Sequence, residues 1–254
     1  MNQLLFLTRS MFFLCSIGLS GQVSAKSLDI LDFKPHSWSL VEAKQLCQQN
    51  KVFCSDATKV RRIDLKEYIW VLSDETVAYF QRSSKGLKQL NSWHINTKNN
   101  DENEQIKTFI YPRLFPMSQQ RFAIALINES SEYYSGGGAQ IQRVDFYALD
   151  KSNQARRFIA DYPFYFSRMV RSCFSYEDYQ KAQDQCHDLD GLELDIQVKQ
   201  AMKWQFRYQY FQEVSPVSDS ILKSSHQRKT ITIDLNHPPK VLSLPEAWNY
   251  QGQE

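Results

Sequence analysis

Glycine is scarce, at 8 in 254 residues, and no segment recurs at a fixed period. Together these features exclude collagen-like and propeller architectures. Neither sign of charge dominates, since 30 Lys+Arg face 28 Asp+Glu for a net +2. A nucleic-acid binder of the strongly basic kind would carry a large or clustered cationic excess. The basic pairs Arg61-Arg62 and Arg156-Arg157 are too short for that or for a polybasic membrane patch, so no nucleic-acid partner is expected. Chemical motifs are missing too. There is no C-x-x-C pair, no G-x-S-x-G elbow and no glycine loop running into a helix with a lysine, so zinc ribbons, nucleophile elbows and phosphate loops lack their signatures. No catalytic residue is assigned, and no cofactor or metal is expected.

Long apolar runs are absent as well, the longest stretch near the start being residues 11–19. A membrane-spanning helix needs about 20 apolar residues. This run follows the lone charge of Arg9 and leads into Val23-Ser24-Ala25, a small-residue exit. The pattern predicts a secretory signal over 1–25, cleaved before Lys26. Acylation at Cys15 is disfavoured by the bulky Phe12, Phe13 and Leu14 before it. The expected mature chain is 26–254, a single mainly-β domain exported to the periplasm or beyond, with no transmembrane anchor.

Four cysteines remain in that chain: Cys47, Cys54, Cys173 and Cys186. An even count in an exported protein reads as two disulfides, and four cysteines allow three pairings. Sequence spacing favours the local ones. Ser39-Leu-Val-Glu42 opens a short helix near 39–49 through a capping box, after which the chain can bring Cys54 back to Cys47. Ser175-Tyr-Glu-Asp178 opens another over 175–183. Run unbroken to Cys186, that helix would hold Cys173 and Cys186 roughly 15 Å or more apart, far beyond disulfide reach. Either it stops near Gln183 and doubles back, or the pairing crosses to the first two cysteines.

Alternation with period two is the clearest positive signal. Leu192, Leu194, Ile196 and Val198 alternate with polar residues, as do Trp204, Phe206, Tyr208 and Tyr210, and then Ile231, Ile233 and Leu235. This predicts an antiparallel meander with one buried face. Residues 68–72 and 121–127 are apolar at both parities and suit central strands covered on both sides. Further strands are expected at 77–81, 105–111 and 144–149, with an exposed polar loop at 96–104. The fold class is mainly β: an antiparallel sandwich or stacked twisted sheets with two short helices.

Three of the glycines stand together in Glu132-Tyr-Tyr-Ser-Gly-Gly-Gly-Ala139. Consecutive glycines permit positive φ and close backbone approach, between strand 121–128 and strand 141–149. Two roles fit: a plain hairpin connection, or a loop (Tyr133, Tyr134, Ser135, Gly136, Gly137, Gly138) that receives a partner. Asp188-Leu-Asp190-Gly191 resembles a calcium loop only in part, since the first and twelfth ligand positions fall on Cys186 and Gln197. A turn at Asp190-Gly191 is the simpler expectation. The five histidines are scattered, and the acids Glu129, Glu132 and Asp145 flank the glycine loop without a catalytic spacing. The aromatic ladder 204–210 reads as core.

Two functions follow. One is a non-enzymatic envelope or secreted binding protein, an inhibitor or immunity protein that blocks a toxin or envelope hydrolase through the Tyr/Gly loop. The other is an envelope hydrolase or carbohydrate-active protein with an active site that no motif marks.

Overall fold

The computed structural model describes residues 28–54, 60–97, 106–220 and 223–248. The signal predicted over 1–25 and most of the polar loop predicted over 96–104 lie outside the described residues. The chain enters through two short strands, β1 (Leu31–Asp32) and β2 (Lys34–Pro35). Helix α1 (Leu40–Gln49) starts where the S-x-x-E pattern places it. The Glu42 N–H donates to the Ser39 hydroxyl at 3.2 Å, and the Ser39 N–H donates to the Glu42 carboxylate at 3.3 Å. A 3-10 turn at Lys51–Cys54 then returns Cys54 to Cys47, with Cα atoms 4.8 Å apart. Strands β3 (Arg61–Leu65), β4 (Tyr68–Leu72), β5 (Thr76–Ser83) and β6 (Gly86–His94) follow as a meander. With β2 they form a five-stranded antiparallel sheet in the order β2-β3-β4-β5-β6.

The second sheet holds eight strands. After β7 (Ile106–Pro116) come β8 (Phe122–Tyr134), β9 (Gly137–Leu149) and β10 (Ala155–Arg171). Helix α2 (Tyr176–Ala182) precedes β11 (His187–Gln200), β12 (Lys203–Glu213) and β13 (Ser225–Asp234). All neighbours are antiparallel, in the order β1-β7-β8-β9-β10-β11-β12-β13. The expected class, two stacked antiparallel sheets with two short helices and two disulfides, is what the chain adopts.

Strands apolar at both parities are covered on both faces. On β4, Trp70 and Leu72 pack toward the large sheet, while Ile69 and Val71 join Leu46 of α1 and Phe53. On β8, Ile124 and Leu126 meet the small sheet, while Ala123, Ala125 and Ile127 enter a second core. That second core exists because the large sheet curls on itself. The Trp204 indole N–H on β12 donates to the Pro116 carbonyl at the end of β7 at 2.9 Å, and the Met202 N–H donates to Met117 O at 2.7 Å. Trp204, Phe206, Tyr208 and Tyr210 are all buried there, as their alternation predicts. The C-terminal segment closes the open side. Trp248 stacks on Tyr210 at 5.6 Å, and the Tyr162 hydroxyl donates to Pro239 O.

Strand β10 is long and central, yet contains Pro163, which has no N–H for the ladder. The register shifts around it accommodate the proline. Asp161 adopts a positive φ of 57° in that irregular stretch, and its N–H donates to the buried Asp145 carboxylate at 2.7 Å.

Two sequence expectations are corrected. Asp190-Gly191 is not a turn, because β11 runs straight through it. Gly191 is needed there by close approach: a Cβ would lie 2.5 Å from the Phe211 ring. Asp190 instead takes a two-point ion pair from Arg168 at 2.7 and 3.1 Å. The loop expected between strands ending at 128 and starting at 141 is almost entirely strand, and only Ser135 and Gly136 form the turn.

Candidate functional site

The β8–β9 hairpin therefore ends in an extended arm rather than a loose loop. Its tight turn needs Gly136, whose φ is +89°, a conformation a side-chain-bearing residue adopts only with strain. The Gly136 carbonyl accepts the Arg171 N–H from the end of β10 at 2.7 Å, which ties the tip to the neighbouring strand. Gly137 is required for a different reason. A Cβ there would stand 2.1 Å from the Met169 carbonyl oxygen and 2.5 Å from the Tyr134 ring.

The two tyrosines do opposite jobs. Tyr134 lies across Gly137, and its hydroxyl donates to Met169 O at 3.1 Å. Burial raises its pKa, with Arg168 opposing and the Asp190 and Glu132 charges adding to the rise. Tyr133 faces out and is 88% exposed, its ring edge 3.5 Å from the position a Gly138 Cβ would take. Cross-strand register sets Tyr133, Gly138 and Met169 side by side. One tyrosine holds the arm while the other is presented.

A second segment meets the tip. Helix α2 is only seven residues long because Gln183 and Asp184 turn left-handed, at φ 48° and 73°. This early stop is what the local disulfide demands, and Cys173 pairs with Cys186 at a Cα separation of 5.1 Å. The bridge is buried with Ala182 in a small satellite core against Val217. Arg171 joins this loop to the hairpin. Beyond its N–H on Gly136, its Nε donates to Cys173 O at 2.7 Å and its Nη2 to the Tyr179 hydroxyl at 2.9 Å. Its guanidinium also lies 5.5 Å from the Phe174 ring centroid. Asp178 accepts the Phe174 and Ser175 N–H groups at 3.0 and 2.8 Å, and these bonds lower its pKa.

Exposed apolar side chains stand on the stretches so joined. Phe174 and Tyr176 are 76% and 78% exposed, and Met169 and Tyr179 are also open. The sequence reading named Tyr133 but missed these neighbours. One signal was available: Tyr176 and Tyr179 stand at i and i+3 on a helix too short to bury both.

Other candidates stay apart or serve the fold. Glu129 accepts the Gln142 amide at 2.6 Å, and Asp145 is spent on Asp161 and Arg157. Among the described residues no group of three His, Cys, Asp or Glu is placed to hold a metal ion, and no helix is long and apolar enough to cross a membrane. The formed disulfides suit an oxidising, extracytoplasmic compartment. No family model, no curated protein and no solved structure matches this chain.

Proposed function

We propose that this chain is a non-enzymatic binding protein of the periplasm or the exterior. In this reading it docks a protein partner, a toxin or envelope hydrolase that it blocks, through the surface around Tyr133. The observation that carries the reading is that Tyr133, Phe174 and Tyr176 stand exposed on the two segments that Arg171 ties together, the hairpin tip and the disulfide loop. Burying each such ring on binding contributes about 1.5–3 kcal/mol. Tyrosine is favoured at interface hot spots because it offers a large rigid contact with a polar end. The bracing matters as much as the rings. Arg171, Tyr134 and the Cys173–Cys186 bridge fix the backbone in advance, so less conformational entropy is lost on docking.

The test is affinity capture from envelope extract with the mature chain and with a Tyr133→Ala, Phe174→Ala, Tyr176→Ala variant. The reading predicts one stoichiometric partner whose enzymatic or toxic activity falls as the complex forms, and which the variant does not retain. Equal retention by both chains contradicts it. So does turnover of cell-wall or lipid substrates by the purified protein alone.

A further inference from the structure

Away from the hairpin tip, a cleft of about 510 Å³ opens where the two sheets meet. Its aromatic side centres on Trp70, whose ring lies 4.5 Å from Tyr79, 5.6 Å from Trp93 and 5.2 Å from Phe122. Leu90 of β6 lines the same cleft and is 42% exposed. Trp70 and Trp93 are themselves buried, so the carbon surface open to a ligand is that of the half-buried Tyr79 and Phe122 packed on Trp70, and of Leu90.

The polar side is built of amides. Asn91 on β6 is fixed in place, its side chain donating to Asp150 O at 3.3 Å and accepting the Ser92 N–H at 2.9 Å. The Trp93 indole N–H donates to the same Asp150 carbonyl at 2.8 Å, which holds the β9–β10 turn as the facing wall. Gln119 and Gln120 come from the β7–β8 turn, and both are exposed. Among the described residues neither side-chain amide bonds another group. Charge in the cleft is balanced, with Asp150 and Lys151 supplying one of each sign. The Asp150 carboxylate is already engaged by the Ser152 N–H, the Ser152 hydroxyl and the Gln154 N–H.

We propose that this cleft binds an uncharged saccharide. A sugar ring carries a face of C–H groups and an edge of hydroxyls that both donate and accept. Aromatic and leucine carbon matches the face. Side-chain amides, with donor and acceptor in one plane, match the edge. A strongly charged ligand would find no matching excess of charge here. The cleft also has the size and the mix of apolar lining with few placed polar groups typical of small-ligand sites. This inference is independent of the docking surface at the tip.

Maltotriose, cellotriose and chitotriose, titrated into the mature chain by calorimetry and tryptophan fluorescence, provide the probe. At least one is expected to bind saturably, with a Kd between about 1 μM and 1 mM. The Gln119→Ala, Gln120→Ala variant, altered only on an exposed turn, should keep its melting temperature and bind about tenfold more weakly. Tyr133→Ala should bind like the parent chain, which separates this site from the tip. The proposal is overturned if none of the three sugars saturates by ~10 mM, or if the glutamine variant binds as tightly as the parent.

Discussion

The Nη2 of Arg171 donates to the hydroxyl of Tyr179 at 2.9 Å, eight residues on and inside the loop that the Cys173–Cys186 bridge closes. The same arginine gives its backbone N–H to Gly136 and its Nε to Cys173 O. One residue therefore touches two segments: its backbone N–H ties the hairpin tip, and its side chain ties the loop carrying Phe174 and Tyr176. Removing the side chain tests how the loop is held. Arg171→Ala is expected to lower stability by about 1–3 kcal/mol, since it leaves carbonyl and hydroxyl partners unmatched. Hydrogen exchange should accelerate at 172–186, while 134–138 stays protected because alanine keeps the backbone N–H that Gly136 accepts. Acceleration at 134–138 as well would contradict a tip held by the backbone bond alone.

Gly137→Ala addresses the close approach of β9 and β10. The added Cβ would meet the Met169 carbonyl at 2.1 Å, a backbone atom that cannot swing aside. A loss of about 2–4 kcal/mol is expected, in the range of overpacking and strain combined. Chemical denaturation measures it. A change under about 0.5 kcal/mol, the range of ordinary surface substitutions, would mean that the strands separate easily at this point.

The tyrosine pair gives an internal control. Tyr134→Phe removes the hydroxyl that donates to Met169 O and should cost about 1 kcal/mol. Tyr133→Phe alters an exposed ring and should stay within ~0.5 kcal/mol of the parent. Equal effects from the two would contradict the division of labour between them.

Asp178 makes the loop acid-sensitive. N–H donation from Phe174 and Ser175 lowers its pKa below the ordinary 3.8. A group depressed in the folded state lends its stability fully above the unfolded value, and loses it as pH falls through the folded one. Carboxyl chemical shifts should therefore place the Asp178 midpoint below 3.8. Protonation there should coincide with loosening of the Phe174 amide. A midpoint at or above the ordinary value would show that the cap is not formed in solution.

Much of the fold is legible in the order of residues. Alternation at 204–210 marks the core face of β12, double-parity runs mark the two-sided strands β4 and β8, and the capping boxes at Ser39 and Ser175 mark both helices. The local disulfides follow once the second helix is required to stop near Gln183. The Tyr/Gly segment was harder to read. Glycine reads as a loop signal in isolation, whereas Gly137 and Gly138 are strand residues that leave room for tyrosine rings on the next strand. The loop of Phe174 and Tyr176 could not be joined to the hairpin tip from sequence, since the link between them, Arg171 to Gly136, spans some thirty-five residues. The aromatic cleft was hidden for the same reason, because Trp70, Trp93 and Phe122 come together only when the sheets stack.

The central claim is that the Tyr133 surface touches another protein. Replacing Tyr133, and separately Tyr176, with the photo-crosslinker p-benzoylphenylalanine in producing cells tests it directly, with Arg228 on the exposed face of β13 as control. The account predicts the same discrete protein adduct at positions 133 and 176 and none at 228. No adduct at either tip position, or the same adduct at all three, would contradict it.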